Sequence, residues 1–460
     1  MNELRTLRGR VWRTMLAAGF AGAIWMMAGG GAAVHAATAS GEDVYKSRCA
    51  ACHDNPGATR APSRDTLAKM PSTRIMRTLD FGLMMGVAYP LKRDEREAVA
   101  KYLGSAEAEA PLPASAFCPK DKLPLSAAGA GNWNGWSPTA SNSRMQTSEA
   151  AGLNVTQVSH LTLKWAFGFP GDVTAFAAPT VLNGTLFVGS AGGTVQALDA
   201  KTGCVHWLFQ ANGPVRSALL AVPRGQEYSL VFGDQIGWGY SLDAKTGKML
   251  WRRRLDAHDA TRITGSSVAV DGVVFIPISS WEETRSTDPH YECCTFRGSV
   301  IALRLKDGSQ VWKTYVVNPP KKTGMNSAGA SIYGPSGVAV WSTPTVDTKR
   351  GLLYITTGDN YSSPTTKTSD AVIAMQIKTG KIVWTQQTFP NDAYTSACRD
   401  GGPNCPPEAG PDFDFGGSAI LAHTTNGRDF LVAGQKSGMV FGLYPYQGGK
   451  VVWQMRVGKG

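Results

Sequence analysis

Charge is scarce in this chain, and so, beyond its first few dozen residues, are long apolar runs. Asp, Glu, Lys and Arg make up 18% of the 460 residues, where an ordinary soluble domain carries about 25%. With 43% hydrophobic residues as well, a disordered, charge-solvated polymer is excluded. After residue 34 no stretch approaches about 18 apolar residues without a charge, so no later membrane span is expected. The formal charge of +11 comes with no Lys/Arg run interleaved with aromatics, and no nucleic-acid partner is expected. A Gly-rich nicotinamide fingerprint is missing too. What the chain has in excess is glycine, 52 residues, and tryptophan, 13. Glycine at that density without a collagen period points to many tight turns between buried strands.

Arg5, Arg8, Arg10 and Arg13 precede an uncharged stretch from Met15 to Val34 that closes in Val34-His35-Ala36. A basic start, an apolar middle and small residues at the cleavage positions read as a secretory signal over residues 1–36, with the mature protein beginning near Ala37. The glycines and the Ala-rich end favour cleavage over retention as an anchor. The mature protein is therefore expected in the periplasm, with no stable membrane span. An oxidising compartment permits disulfides. Of the eight cysteines, Cys398 is expected to pair with Cys405, and Cys118 with Cys204.

Cys49-Ala50-Ala51-Cys52-His53 is the c-type haem attachment signature. Two thiols on one helical turn can add to both vinyl groups of a haem, and His53 then lies under the iron as proximal ligand. The bare Cys-x-x-Cys alternatives are a redox pair or half a zinc site. The added His, the export signal and the lack of a second matching pair favour haem. Ser40 is the expected cap of the helix that carries the motif, with Asp43 three positions on. Ala61-Pro62 resembles the loop that orients the proximal His in small cytochromes. Met84 is the expected sixth ligand and Met85 the runner-up; Met70 and Met76 read as core. Arg93 to Leu103 has the apolar spacing of a closing amphipathic helix. A cytochrome c domain is thus placed at 37–106, followed by an Ala/Pro-rich linker at 107–130.

The rest of the chain repeats. GGTVQALDAKTGCVHW, IGWGYSLDAKTGKMLW, RGSVIALRLKDGSQVW and SDAVIAMQIKTGKIVW end at Trp207, Trp251, Trp312 and Trp384, and SGMVFGLYPYQGGKVVW at Trp453. Each is an alternating strand, a Gly-containing turn and a second strand, hence a hairpin. With Trp165 opening the series, the spacings are 42, 44, 61, 72 and 69 residues, and four strands in about 40 residues is the period of a β-propeller blade. The longer spacings imply insertions, which in repeat arrays gather on one face. The expected fold is a small all-α cytochrome c domain followed by an all-β propeller of about five to six blades over 131–460.

The Gly-His and Trp-Asp dipeptides of WD-type propellers are missing. The A-L-D-A-x-T-G-x-x-x-W pattern instead resembles the pyrroloquinoline quinone (PQQ) dehydrogenases. With an exported haem domain ahead of it, the chain resembles the quinohaemoprotein alcohol dehydrogenases, most closely the polyvinyl alcohol dehydrogenases. The resemblance implies an eight-bladed propeller, so with six such Trp in hand one or two blades are expected to be missing; the chain is either a fragment or a smaller propeller. It also implies PQQ, Ca²⁺ and one covalent haem c as cofactors. The implied reaction is oxidation of a polymeric or small secondary alcohol to a ketone, with electrons passing through the haem to an external cytochrome c. The weighed alternative is a non-catalytic propeller scaffold or electron relay.

Residue by residue, the resemblance implies Trp341 in VAVWSTPTVD as the floor under the quinone. The Cys293-Cys294 pair would be a vicinal disulfide over its other face, displaced one blade later than in relatives, many of which carry a metal-binding carboxylate at this place; structural or mixed pairing is the alternative. Glu292, Asp359 and Asn360 are the candidate calcium ligands. In PDFDFGG, Asp412 and Asp414 are the candidate bases, and only one of the two, Asp412 by slight preference, is expected to face the quinone. Arg297 and Lys436 are the candidate partners of the PQQ carboxylates. Where relatives carry a Glu on the first blade, this chain has Phe176, so that part of the contact set is altered.

Overall fold

The computed structural model describes residues 40–125, 131–172 and 174–460. The expected signal peptide and residues 126–130 at the end of the expected linker lie outside them. Among the described residues, no helix is long and apolar enough to cross a membrane.

Residues 41–103 are helical. Apolar residues one turn apart, Ile75 with Leu79 on Ser72–Phe81 and Val99 with Leu103 on Arg93–Leu103, give each helix one buried stripe. These stripes meet Val44 and Tyr45 of Gly41–Arg48 in a single core, against which Met70, Met76 and Met84 also pack. Ser40 caps the first helix, its Oγ accepting the Asp43 amide at 3.2 Å.

Residues 180–456 contain four four-stranded antiparallel sheets, over residues 180–210, 220–254, 345–387 and 420–456, and a further sheet whose four strands over 268–315 are joined by the two-residue strand Thr261–Arg262. The repeat in the sequence has a local cause. In the turns before Trp207 and Trp251, Asp199 Oδ1 accepts the Thr202 amide at 2.7 Å and Asp243 Oδ1 the Thr246 amide at 2.9 Å. Each turn is closed by a glycine at positive φ, +77° at Gly203 and +71° at Gly247, where a side chain would be strained. A register shift follows in the third-to-fourth strand pair of every sheet, for example at Ala197/Leu198 and Ser241/Leu242.

Tryptophan does more than end each sheet. The Trp207 indole N–H donates to Ala244 O of the next sheet at 3.1 Å, Trp251 to Leu305 O at 2.8 Å and Trp312 to Ile377 O at 2.9 Å. Each ring lies on the turn glycine of that next sheet: a Cβ at Gly247 would sit 2.6 Å from the Trp207 ring, and one at Gly308 2.8 Å from Trp251. Trp165, which precedes the first sheet, docks on Gly203 in the same way and donates to Ala200 O at 3.2 Å. Glycine and tryptophan are therefore two halves of one sheet-to-sheet contact.

Cys118 pairs with Cys204 and so pins the segment after the helical region to the first sheet, where Phe117 also bridges Val205. Cys398 pairs with Cys405 in the connection before the fifth sheet. The longer Trp spacings resolve into insertions at residues 281–298, 316–344, 357–370 and 388–419, and all four contribute side chains to one cavity or its carboxylate rim.

Candidate functional site

Cys49 and Cys52 are the two cysteines without a disulfide among the described residues. Cys49 is the N-cap of the short helix Ala50–His53, and Cys52 lies within it. Burial, then the neighbouring Cys52, pushes the Cys49 thiol up. His53 is 8% exposed and its Nδ1 lies 2.7 Å from Pro62 O. A carbonyl accepts only, so Nδ1 carries the proton and Nε2 keeps the lone pair that an iron requires. Met84 faces the same helical core, whereas the Met85 sulfur lies 3.8 Å from Arg262 Nη2 of the propeller. Two free thiols, one of them exposed, an oriented imidazole and a thioether on the same small helical region fit a covalently held haem.

The second site is a cavity of about 200 Å³ among the propeller insertions. Trp341 supplies an aromatic plate, with Lys436 Nζ 5.5 Å from the ring centroid. Lys436 Nζ donates to Asp414 Oδ2 at 2.7 Å and to Asp412 Oδ1 at 2.6 Å. Asp414 Oδ1 accepts the Asp359 amide at 2.7 Å. One carboxylate oxygen each from Asp359, Asp412 and Asp414 lies within 4.8 Å of the others. Asp359 is 2% exposed and its Oδ2 has no hydrogen-bond partner.

Carboxylates outnumber cations here, and their proton affinities show it. Burial, then the charges of Asp414 and Glu283, holds Asp359 well above the usual carboxylate range. Burial followed by Asp414 pushes Asp412 up to about 6, and burial with Asp414 and Asp412 pushes Glu283 up to about 7. Asp370, whose two oxygens are buried without partners, is pushed up to about 9 by burial and then by Asp414. Burial alone would lower Lys436, but Asp414 and Asp412 outweigh it and raise it. Buried, unpartnered carboxylate oxygens are hard donors awaiting a cation, so the residues fit a calcium-type ion. On the other side, Arg216 and Arg262 line the cavity, and neither forms an ion pair among the described residues. Two unpaired guanidiniums beside an aromatic plate fit a flat, anionic ligand such as PQQ.

The structure thus brings Trp341, Asp359, Asp412, Asp414 and Lys436 together. It does not bring the other candidates into this cavity. Glu292 is exposed. Asn360 spends its side chain on the backbone, donating to Ser336 O at 2.9 Å and accepting the Thr366 amide at 2.8 Å. Arg297 donates to Val317 O at 2.9 Å and lies over the Tyr315 ring. Cys293 and Cys294 are disulfide-bonded but lie in the core beside Phe296 and Tyr361. Tyr361 lines the cavity and the pair does not. Phe176 is half-buried and does not line it either.

The expectation that Asp412 and Asp414 diverge is also corrected. Residues i and i+2 of an extended segment share a face, and both carboxylates meet Lys436. It is Asp414 that lines the cavity, while Asp412, at φ +61°, stands beside it. Glu283, Arg216 and Arg262 were not singled out from the sequence. Arg216, Arg262, Trp341 and Asp414 all come from connections between successive sheets, and Glu283, Asp359 and Lys436 from second-to-third strand connections. Position relative to the repeat was the available signal.

A haem-attachment turn on a helical domain and a Trp-floored, carboxylate-rich cavity in a propeller define a quinohaemoprotein. The comparisons agree. Residues 148–360 match the family model described as outer membrane protein assembly factor BamB, and residues 36–103 that of cytochrome C oxidase, cbb3-type, subunit III. The polyvinylalcohol dehydrogenase of Sphingopyxis sp. (strain 113P3) is 38% identical over 94% of this chain and 69% of its own length. That of a Pseudomonas sp. is 38% identical over 91% of this chain and 68% of its own. The chain belongs to the polyvinyl alcohol dehydrogenase family. The solved quinohemoprotein alcohol dehydrogenase from Comamonas testosteroni shares the fold, with a TM-score of 0.55 at 19% identity over 75% of this chain; the chain spans about half, 52%, of that structure.

Proposed function

We propose that the protein oxidises secondary alcohol groups, those of polyvinyl alcohol foremost, to ketones in the periplasm and passes the electrons through haem c to an external cytochrome c. The observation that carries this reading is the Lys436–Asp414–Asp359 constellation beside the Trp341 plate. When bound, PQQ supplies a hydride-accepting carbonyl and Ca²⁺ the charge that polarises it. The chain's own part is to bind, orient and move a proton. Trp341 covers one face of the flat ligand and excludes water. Arg216 and Arg262 neutralise its carboxylates, and Asp359, Asp412 and Glu283 hold the cation. Asp414 takes the substrate's hydroxyl proton, with its two oxygens aimed by the Lys436 ammonium and the Asp359 amide. In the helical domain, Cys49 and Cys52 attach the haem, and His53 and Met84 ligate its iron.

The test is reconstitution of the haem-loaded protein with PQQ and Ca²⁺ under anaerobic conditions. Polyvinyl alcohol should turn the haem spectrum from ferric to ferrous, and pentane-2,4-diol serves as the small-alcohol comparison. A haem that stays ferric with both would sink the enzyme reading; reduction by the diol alone would move the substrate to small alcohols.

A further inference from the structure

Arg262 and Trp281 line two cavities at once: the one floored by Trp341, and a second of about 220 Å³ between the propeller and the helical domain, where Met85 and Tyr89 stand opposite them. Arg262 ends the two-residue strand Thr261–Arg262, registered against Ser279 and Ser280, so Trp281 follows directly on the paired strand. The guanidinium carbon sits 3.3 Å from the Trp281 ring centroid. Its Nη1 donates to Gln235 Oε1 at 2.7 Å, and its Nη2 faces the Met85 sulfur at 3.8 Å. The indole N–H of Trp281 is buried with no hydrogen-bond partner. A buried, unpaired indole donor costs stability, and the stack it belongs to lines both cavities.

We propose that the Arg262–Trp281 stack is the route by which electrons leave the propeller cavity for the haem, with Arg262 as the positioning residue that ties the Met84–Met85 turn to the propeller. The proposal rests on the reading that PQQ is reduced in that cavity. Oxidation of one secondary alcohol to a ketone releases two electrons and two protons. The haem takes one electron at a time, ferric to ferrous, and an external one-electron acceptor such as ferricyanide reoxidises it between the two. The protons leave to solvent through the cavity carboxylates. The tie also explains the division of labour between the two methionines: Met85 is held on Arg262 while Met84 stays in the helical core.

The test has two arms. In haem-loaded, PQQ-free protein, Arg262→Leu releases Met85, so the methionine–iron absorption band weakens and the haem midpoint potential moves, whereas Trp281→Leu leaves both in place. In the second arm, PQQ reduced beforehand to the quinol is mixed with the ferric protein in a stopped-flow instrument and haem reduction is followed directly. Trp281→Leu slows that step about tenfold, as about 1.4 kcal/mol of added barrier would, and Trp281→Phe, which keeps a ring for Arg262, holds the wild-type rate. An unmoved band and potential in Arg262→Leu, a wild-type rate in Trp281→Leu, or a wild-type haem that the quinol cannot reduce each overturns the proposal. Because the quinol replaces the alcohol, failure of alcohol oxidation alone leaves a haem that the quinol still reduces, and the two failures are told apart.

Discussion

Two glycines at nearly the same backbone angle separate the tryptophan contact from simple backbone strain. Gly247 has φ +71° and Gly272 φ +72°, but a Cβ at Gly247 would lie 2.6 Å from the Trp207 ring, while nothing lies within 4 Å of one at Gly272. Alanine at either position pays for the left-handed conformation, about 1–2 kcal/mol, less the common gain from stiffening the unfolded chain. At Gly247 the Trp207 ring must also move. That ring is 8% exposed and held by its hydrogen bond to Ala244 O. Overpacking of this kind costs about 1–3 kcal/mol more. Gly272→Ala should therefore destabilise by about 1–2 kcal/mol and Gly247→Ala by about 2–5 kcal/mol. Equilibrium urea unfolding, with midpoints compared at constant slope, reads the difference. In a Trp207→Ala background the extra cost at Gly247 should vanish, because the neighbour it clashes with is gone. Equal costs for the two glycines, or an undiminished cost at Gly247 without Trp207, would refute the sheet-to-sheet docking account.

Asp414→Asn should lower alcohol-driven haem reduction by about 10²–10⁴-fold, and Asp412→Asn by less; the reverse order would return the base to Asp412. Calcium binding should weaken as pH falls through about 7 and then about 6, because burial with the neighbouring carboxylates keeps Glu283 and Asp412 protonated below those values. Calorimetry in buffers of different ionisation enthalpy should detect the displaced protons, and an affinity flat from pH 5 to 8 would count against the site. Without the ion the sign for stability is opposite: both folded pKa values are raised above the unfolded ones, so this contribution is full at low pH and is lost as pH rises toward 7. Replacing both Cys118 and Cys204 by Ser, 86 residues apart, should cost about 2–4 kcal/mol in the same urea assay; an unchanged midpoint would mean the pair does not constrain the unfolded chain.

The sequence by itself determined what short stretches can encode. Cys49 to His53 fit within about one helical turn, so attachment chemistry and ligand are written side by side. The turn glycine and the Trp four residues later recur in all five sheets, because each sheet closes its last hairpin with the same kind of turn and presents it to a tryptophan of the preceding segment, and that recurrence announced a propeller. The repeat also marked where insertions lie. It could not say which inserted side chains converge. Trp341, Asp359, Asp414 and Lys436 come from four separate connections, and Glu283, Arg216 and Arg262 from three more. Glu283, Arg216 and Arg262 have no local pattern that separates them from ordinary connection residues, and the other four are marked only by the resemblance of their segments to the PQQ dehydrogenases. Neighbours in the chain parted company for the same reason: Asp359 turns to the carboxylate cluster while Asn360 binds the backbone of Ser336, and Met84 stays in the helical core while Met85 meets Arg262. Only the tertiary structure decided these, because burial and charge at the cavity are sums over residues far apart in sequence.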